Sequence, residues 1–346
     1  MKVSAAGHGE TSRAPLTVAV VILTFDEEAN IGPAIESVLG WAEKIFVVDS
    51  FSNDQTVDIV LGYRDDGVEV VQHAFENYSA QWNWALSTLP ISSAWTLKLD
   101  ADERATPEFR NEVSEILSDA SVGLEGIYFR RQIVFMNKPV RWGGTSGFDL
   151  RMWKTGCGSF DGREVNEHLM VSGETARLRS FVDHHDTNTM SAWWDKHNRY
   201  SSLEALSLIN RGPGAKVPPR LWGQPDERRQ WFRRLFFSHP LRFLSCAGMF
   251  SYHFFLRLGF LDGSRGFELA FLRSTFFYLI DLKVLEYRRT GRLPTVTWPS
   301  RGKPHPALGD SMRSTIDETS GDGESNLEPE EPPSRHSAPR PAASRG

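Results

Sequence analysis

Apolar and polar stretches alternate regularly along the first third of the 346-residue chain. Runs of β-branched and apolar residues predict buried strands, because strands covered on both faces form continuous hydrophobic segments. We predict four such strands, at residues 17–24, 44–49, 68–72 and 95–99. The stretches between them predict helices at residues 31–39, from residue 55 onward and at residues 78–89. Strands that alternate with helices predict an α/β fold with a doubly wound, mostly parallel sheet.

The second half of the chain has a less regular pattern. It predicts strands at residues 126–134, 149–154 and 177–184, followed by a helix at residues 190–208. A linker rich in Gly and Pro then leads to two strongly apolar stretches of helix length, at residues 239–258 and 267–287. The composition of residues 300–346, rich in Pro, Ser, Gly and Glu, predicts a disordered tail.

Composition places the chain among folded proteins with a sizeable core. The length allows two domains or one large α/β unit, hydrophobic residues make up 40%, and mean hydropathy is -0.37. The net charge of -5 argues against nucleic-acid binding, which requires a basic excess. Cys157 and Cys246 are the only cysteines, so no disulfide framework is implied and a reducing compartment is favoured.

Two apolar runs have features of targeting or membrane segments. Residues 16–25 resemble the hydrophobic part of a signal peptide, but they lead directly into three acidic residues and have no small-residue cleavage site. We therefore interpret them as a buried strand. Residues 243–256 are too few to span a bilayer, which requires roughly 18–20 residues.

Acidic residues follow three of the predicted strands. Asp100 and Asp102 are two positions apart after the fourth strand, so their carboxylates project to the same side, as oxygen ligands of Mg²⁺ or Mn²⁺ do. An acidic turn is the alternative. Residues 26–28 and Asp49 follow the first two strands, and ligands of doubly wound sheets bind beyond such strand ends. We therefore expect one cation-binding site at this edge.

Two common phosphate-binding patterns are missing from the sequence. No Gly-x-Gly-x-x-Gly follows the first strand, and no Gly-x-x-x-x-Gly-Lys-Ser/Thr occurs anywhere. A dinucleotide fold and a P-loop are therefore not supported. Any phosphates must be held by a metal and by separate side chains.

Three motifs, in order and at the correct spacing, resemble those of family 2 glycosyltransferases of GT-A fold. They are VVILTFDEEANI at residues 20–31, FVVDSFSNDQT at 46–56, and LKLDADE at 97–103, which resembles the metal-binding Asp-x-Asp. Within the family, YSAQWNWAL at residues 78–86 is most similar to the lipopolysaccharide-core group of WaaE-like β-glucosyltransferases. The resemblance covers about residues 17–210, and extends more loosely to about residue 290.

The resemblance implies roles for the acidic residues. Glu27 and Asp49 would contact the nucleotide base and ribose, Asp100 would contact ribose or a metal-bound water, and Asp102 would bind the metal directly. Alternatives remain open, since Glu27 is also interpretable as a solvated loop acid and Asp49 as a helix-capping residue. For Asp54 we predict capping.

The resemblance also implies a general base on the acceptor side. The segment FDGREVNEHL, residues 160–169, is similar to the family's Val-His-Glu-x-Leu, which places Glu167 as the base, although Asn166 stands where the family usually has His. A surface helix acid is the alternative for Glu167, and Asp149 is the second candidate base. His184 falls where the family carries a strand-end His, as a metal or diphosphate contact or as a packed residue.

Two interpretations of the region after residue 211 remain open. Arginines and aromatic residues are interleaved between residues 228 and 242, next to apolar helices that are too short to span a membrane. This combination is typical of an interfacial membrane contact. The alternative is that these helices pack against the catalytic domain.

The resemblance implies an inverting, metal-dependent glycosyltransferase of hexosyltransferase type. It would use Mg²⁺ or Mn²⁺, a nucleotide-diphospho-sugar donor and a glycolipid, lipopolysaccharide-core or polysaccharide acceptor, on the inner face of the cytoplasmic membrane. A catalytically inert sugar-binding paralogue and a sugar-nucleotide pyrophosphorylase are the alternatives. A haloacid-dehalogenase-type phosphatase is disfavoured, because Arg104 stands two residues after the second Asp, where that class has Thr or Val.

The resemblance also implies a division of the chain into five parts. They are a disordered N-terminus (1–16), a nucleotide-sugar-binding half (17–125), an acceptor and catalytic-base half (126–210), a helical, membrane-associating region (211–295) and a disordered tail (296–346).

Overall fold

The protein is described here by a computed structural model. The structure describes residues 16–119, 123–144, 147–160, 169–185, 189–209, 222, 242–297 and 300–308. These residues all belong to one unit that spans residues 1–314. Glu167, most of the segment between residues 210 and 241, and the tail from residue 309 lie outside the described residues.

The first half of the fold is a parallel sheet with helical connections. Its strands are β1 (Leu16–Thr24), β2 (Ala42–Asp49), β3 (Val68–Gln72) and β4 (Trp95–Asp100). Its helices are α1 (Ile31–Glu36), α2 (Thr56–Leu61) and α3 (Tyr78–Thr88). Strand β1 lies between β2 and β4, and β3 pairs with β2. The predicted strands and helices are confirmed, with bounds that shift by a few residues.

The second half extends this sheet with strands of both directions. It contains β5 (Glu103–Ala105), α4 (Pro107–Ser118), β6 (Leu124–Phe135), β7 (Lys138–Pro139), β8 (Asp149–Lys154), β9 (Ser159–Phe160), β10 (Leu169–Met170), β11 (Glu174–His185) and α5 (Met190–Ile209). Nine of the described strands form one sheet, in the order β3-β2-β1-β4-β8-β6-β11-β5 with β7 beside β6. Strand β8 is antiparallel to both β4 and β6. The fold is α/β as predicted, and its second half is mixed.

Successive residues of β1 are buried on opposite faces of the sheet, so both faces are covered by other parts of the chain. Val20 and Ile22 are fully buried in a core cluster that contains Ile35 of α1. Val21 belongs to a second cluster, together with Trp82 of α3. Successive strand residues point to opposite faces, so a strand that is apolar at every position requires a layer on each side.

A helical region follows the sheet in the chain. It consists of α6 (Arg242–Ser251), a π-helical turn (Tyr252–Leu256), a 3-10 turn (Gly259–Asp262) and the long helix α7 (Ser264–Thr290). In the described part of the chain, no helix combines the length and apolar character needed to cross a membrane.

Helix α7 packs against the sheet domain through an apolar cluster. Leu269 and Leu272 are buried against three apolar side chains. These are Phe135 of β6, Val140 in the loop after β7, and Trp193 of α5. The predicted alternative, in which these helices pack on the domain, is therefore confirmed for this face of α7.

Polar contacts fix the same region to the loop after β7. The carboxylate of Asp262 accepts hydrogen bonds from the backbone N–H groups of Arg141, Trp142 and Gly143, at 2.9, 2.9 and 3.0 Å. The guanidinium of Arg273 donates to the carbonyl oxygen of Gly143 at 2.7 Å. These bonds satisfy backbone groups of a loop that lies outside the sheet.

Residues 300–308 differ from the prediction of disorder. Leu308 is 1% exposed and belongs to the main core cluster, and Gly302 donates a backbone hydrogen bond to Phe51. The composition is typical of disordered segments, but a buried leucine and several hydrogen bonds hold these residues against the sheet. The five-part division of the chain stays a prediction.

Candidate active site

Hydrogen bonds between backbone N–H groups and polar side chains join the loop after β1 to the loop after β2. Backbone N–H groups in each loop donate to side chains of the other in five hydrogen bonds of 2.7–3.1 Å between residues 26–28 and residues 52–56. Asp54 accepts from the backbone N–H of Thr56 at 3.0 Å and from that of Glu28 at 3.0 Å. The N-cap position of α2 is Gln55, not Asp54, but Asp54 binds the first backbone N–H of that helix and the neighbouring loop, so part of the acidic character of these loops is structural.

Glu27 is held at the centre of these loops. Its backbone N–H donates to the hydroxyl of Thr56 at 2.8 Å, and its carboxylate accepts from Asn30 at 2.6 Å. Burial, followed by repulsion from the carboxylate of Asp102, raises the pKa of Glu27 from 4.5 to about 7. Glu27 is therefore not a solvated loop acid, and it lies within electrostatic reach of Asp102.

Asp49 lies at the end of β2 and is completely buried. Its Oδ2 accepts from the backbone N–H of Ser52 at 3.0 Å and from Nε2 of Gln72 at 2.8 Å, and its Oδ1 accepts from the Ser52 hydroxyl. Burial raises the pKa of Asp49, although these hydrogen bonds oppose the rise. Asp49 thus stabilises the turn that follows β2 and orients Gln72 at the end of β3.

A buried ion-pair network lies beneath the Asp-x-Asp motif. Arg151 of β8 donates to Asp100 at 2.6 Å and contacts the fully buried Glu103 through its other terminal nitrogen. Glu103 also accepts from the backbone N–H of Asp100 at 2.9 Å. Burial alone would raise the pKa of Asp100, but attraction to Arg151 outweighs it and lowers the pKa to about 2. Asp100 and Glu103, which flank Asp102 in the sequence, therefore both contact the buried side chain of Arg151.

Asp102 faces His184 and Lys196. Its Oδ1 lies 3.2 Å from Nδ1 of His184, and its Oδ2 lies 3.6 Å from Nζ of Lys196 on α5. The antiparallel pairing of β5 with β11 places His184 opposite Glu103, and the N–H of His185 donates to the carbonyl of Asp102 at 2.7 Å. Burial opposes ionisation of Asp102, but attraction to His184 and Lys196 holds its pKa well below its usual range.

Arg131 of β6 connects Asp149 on β8 with the acidic motif at the end of β4. Its guanidinium lies 3.2 Å from Asp149, 3.8 Å from Glu103 and 3.9 Å from Asp100. Asp149 keeps 38% of its side chain exposed. The candidate base Asp149 is thus close to the motif at the end of β4.

The pair formed by Asp102 and His184 fits a divalent cation. Nδ1 of His184 is buried and has no hydrogen-bond partner among the described residues, since its approach to Asp102 lacks hydrogen-bond geometry. The carboxylate oxygen suits both Mn²⁺ and Mg²⁺, whereas the ring nitrogen suits a transition metal, so the pair favours Mn²⁺ over Mg²⁺. Within the described ranges no group of three or more acidic, His or Cys side chains could hold a metal. Two protein ligands leave coordination positions for phosphate oxygens.

The structure therefore brings together most of the predicted residues. Glu27, Asp100, Asp102, Asp149 and His184 lie in one connected cluster, Asp49 lies deeper at the neighbouring strand end, and Glu167 falls outside the described residues. The sequence analysis missed Arg131 and Arg151. One signal was available for Arg151, because it is two positions from Asp149 on the same strand and shares its face.

The raised pKa of Glu27 predicts a pH-dependent stability. Unfolding restores an ordinary pKa near 4.5, so the folded state loses stability as pH rises from about 4.5 to about 7 and then levels off. We expect Glu27→Gln to stabilise the protein relative to wild type, by an amount that grows across this range to at most about 3 kcal/mol. Urea unfolding of both proteins from pH 5 to pH 8 measures the difference. A difference that does not change with pH would contradict this electrostatic account.

Comparisons with known proteins agree with this geometry. Residues 19–165 match the model of glycosyl transferase family 2. The chain is 28% identical over 269 residues to the lipopolysaccharide core biosynthesis glycosyltransferase LpsC of Rhizobium meliloti (strain 1021), which covers 76% of this chain and 92% of LpsC. It is 25% identical over 209 residues to the uncharacterized glycosyltransferase RT0209 of Rickettsia typhi, which covers 56% of this chain and 69% of that protein.

Solved structures show partial likeness. Glucosyl-3-phosphoglycerate synthase from Mycobacterium tuberculosis, in complex with Mn²⁺, uridine-diphosphate and phosphoglyceric acid, covers 35% of this chain and 45% of its own, at 22% identity and a TM-score of 0.29. S. aureus TarS 1-349 covers 80% of this chain and 92% of its own, at 14% identity and a TM-score of 0.37. The family match covers β1 to β9 and both Asp100 and Asp102. Residues 19–165 of this chain therefore resemble glycosyl transferase family 2.

Proposed function

We propose that the enzyme is an inverting, metal-dependent hexosyltransferase that moves a sugar from a nucleotide diphosphate to a glycolipid or lipopolysaccharide-core acceptor. The observation that carries the proposal is the meeting of Asp102, His184 and Lys196 at the end of β4. Transfer from such a donor leaves negative charge on the diphosphate, and a site with a cation and a lysine opposes that charge. The name of the relative LpsC supports a lipopolysaccharide-core acceptor.

We assign the metal to Asp102 and His184. Bound there, Mg²⁺ or Mn²⁺ would supply electrostatic stabilisation of the leaving diphosphate. Asp102 is ionised at neutral pH, and His184 must give up its proton before it can serve as a ligand, since attraction to Asp102 raises its pKa. Lys196, which lies 3.6 Å from Asp102, is then available to move toward a phosphate oxygen.

We assign donor recognition to Glu27, Asp49 and Asp100. The carboxylate of Asp49 accepts a hydrogen bond from the hydroxyl of Ser52. An N–H group of the nucleotide base can replace this hydroxyl as the donor. The ion pair with Arg151 fixes the carboxylate of Asp100. We therefore assign Asp100 to contact ribose or a metal-bound water, and not the metal itself. Glu27 carries a proton over part of the neutral range and can therefore donate to, or accept from, a ribose hydroxyl.

The general base remains assigned to Glu167, with Asp149 as the second candidate. Inversion requires a carboxylate that removes the proton of the acceptor hydroxyl on the face opposite the diphosphate. Asp149 is partly exposed and close to Asp100 through Arg131, but Arg131 already holds one of its oxygens at 3.2 Å. The contact with Arg131 occupies an oxygen that an acceptor hydroxyl would have to reach, which favours Glu167.

The two alternatives have less support from the described residues. A sugar-nucleotide pyrophosphorylase requires a basic, glycine-rich loop after the first strand, and here that loop is acidic and bound to residues 52–56. Sugar binding alone does not require the buried contact of Arg151 with Glu103, nor the position of Asp102 next to His184. These features therefore argue against an inert sugar-binding protein.

We also propose that the enzyme binds the inner face of the cytoplasmic membrane through an exposed apolar surface, the aromatic patch. It consists of Tyr252, Phe255, Leu256, Phe260, Leu261, Phe267 and Phe271, each 45–77% exposed. The patch lies on the π-helical turn, the 3-10 turn and the start of α7. Large exposed apolar surfaces mark interaction sites, and the arginine-rich sequence at residues 228–242 favours anionic lipid over a neutral partner.

The metal assignment predicts the behaviour of Asp102 variants. Asp102→Asn and Asp102→Ala are expected to abolish sugar transfer and Mn²⁺-dependent donor binding, because either change removes the charged ligand. Circular dichroism and thermal unfolding should show an intact fold. Asp65→Ala, which removes an exposed carboxylate at a distance from the site, is the matched control. Unchanged transfer by Asp102→Ala would rule out the proposed role of Asp102.

The base assignment predicts a separation of binding from turnover. Glu167→Gln is expected to bind the donor normally and to lose about 10²-fold or more in kcat, the usual scale for a missing general base. Asp149→Asn is the comparison. If Asp149→Asn loses turnover with normal donor binding and Glu167→Gln does not, the base is Asp149.

The membrane assignment predicts salt-sensitive vesicle binding that depends on the patch. We expect the full chain to sediment with anionic liposomes, less so at high salt, because salt screens exposed charges. Phe255→Gln/Leu256→Gln should weaken this binding at least about tenfold, since burial of one large apolar side chain contributes roughly 1.5–3 kcal/mol. Met170→Gln/Leu293→Gln, which changes two exposed apolar residues elsewhere, is the control. Equal binding to neutral and anionic vesicles, or no binding, would contradict the proposal.

A further inference from the structure

Residues 300–308, here called the C-terminal strap, run across the ends of β2 and β3. The side chain of Asn53 donates to the carbonyl of Ser300 at 2.7 Å, and the backbone N–H of Gly302 donates to the carbonyl of Phe51 at 2.7 Å. The guanidinium of Arg301 contacts the carbonyl oxygen of Phe75, in the loop before α3. The first half of the strap is therefore bound to both loops that border the end of β3.

The second half of the strap is anchored in the core. Leu308 lines the same small cavity as Leu61 and Val68, and only 1% of it is exposed. Nε2 of His305 lies 3.1 Å from a carboxylate oxygen of Asp58 on α2. An apolar anchor and a polar anchor at this end fix the path of the strap over the sheet edge.

A chain of hydrogen bonds links the strap to the proposed base-binding carboxylate. The backbone N–H of His305 donates to Oε1 of Gln72 at 2.7 Å, and Nε2 of the same amide donates to Asp49 at 2.8 Å. Both groups of the fully buried Gln72 amide are used in this way. Asp49 and the strap favour the same orientation of this amide, because a flipped amide would place its oxygen against Asp49 and its NH₂ group against the N–H of His305.

Gly302 allows the close approach of the strap to the turn after β2. A Cβ atom at this position would lie 2.6 Å from the carbonyl oxygen of Ser52 and 3.0 Å from that of Phe51. A larger residue must push the strap away from residues 51–53 or displace that turn. Ser52 supplies two of the donors to Asp49, so the disturbance reaches the same carboxylate.

We propose that the C-terminal strap is a positioning element of the donor site, which holds Gln72 and the turn at residues 51–53 so that Asp49 recognises the nucleotide base. This inference rests on the proposed function of Asp49. It predicts that base recognition depends on a segment about 250 residues away in the sequence, while the metal and diphosphate part of the site at Asp102 does not.

The test compares two ligands in the full-length protein. A nucleoside diphosphate contains base and diphosphate, and inorganic pyrophosphate contains only the part that the metal site binds. With Mn²⁺ present, Gly302→Val is expected to raise the Kd of the tightest-binding nucleoside diphosphate about tenfold, the scale of one lost positioning contact, and to leave that of pyrophosphate within twofold. Gly123→Val, where a Cβ meets only ordinary contacts, is the control.

Hydrogen–deuterium exchange provides a second measurement that requires no ligand. Gly302→Val should accelerate exchange of the amides at residues 50–53, and His305→Ala, which keeps the backbone N–H that Gln72 accepts, should have a smaller effect. Equal or tighter nucleotide binding by Gly302→Val would overturn the proposal, and tighter binding would indicate a strap that blocks the pocket. Failure of the wild-type protein to bind any nucleoside diphosphate would instead overturn the proposed function.

Discussion

The buried contact of Arg151 with Asp100 and Glu103 is the constraint on which the rest of the site depends. Glu103 is completely buried, and a carboxylate in that position is tolerated only with a charged partner. Arg151 supplies that partner from an antiparallel strand beside β4 and turns Asp100 inward as well. Asp102 lies between these two residues and is left facing β11. The mixed second half of the sheet is therefore required to orient the motif that ends the parallel first half.

The same arrangement explains how several acidic side chains are tolerated close together at this site. His184 and Lys196 both face Asp102, and their attraction keeps it ionised. On the proposed account, a divalent cation takes the place of these interactions at Asp102, and Lys196 contacts the diphosphate. Glu27 lowers the negative charge of the site further, because its pKa of about 7 keeps it protonated at pH values where Asp102 is ionised.

The sequence predicted the parts of the site that depend on local pattern. Continuous apolar strands indicated β1 to β4, and the two-residue spacing indicated that Asp100 and Asp102 share an edge. Arg131 and Arg151 could not be placed, because their proximity to this edge depends on the pairing of strands far apart in sequence. The loops after β1 and β2 show the opposite problem: their acidic residues suggested ligands, but several are bound to backbone N–H groups across the loops. The strap was missed because composition alone does not reveal a single buried anchor such as Leu308.

The most direct test of this account is the ligand shell of Mn²⁺ bound together with a nucleoside diphosphate. Pulsed electron paramagnetic resonance on protein with ¹⁵N-labelled histidine reports a nitrogen bound to the metal. We predict a directly coordinated ¹⁵N signal that is lost in His184→Ala, with weaker Mn²⁺ binding in Asp102→Asn. A spectrum without coordinated histidine nitrogen, or one that His184→Ala leaves unchanged, would contradict the assignment of the metal to Asp102 and His184.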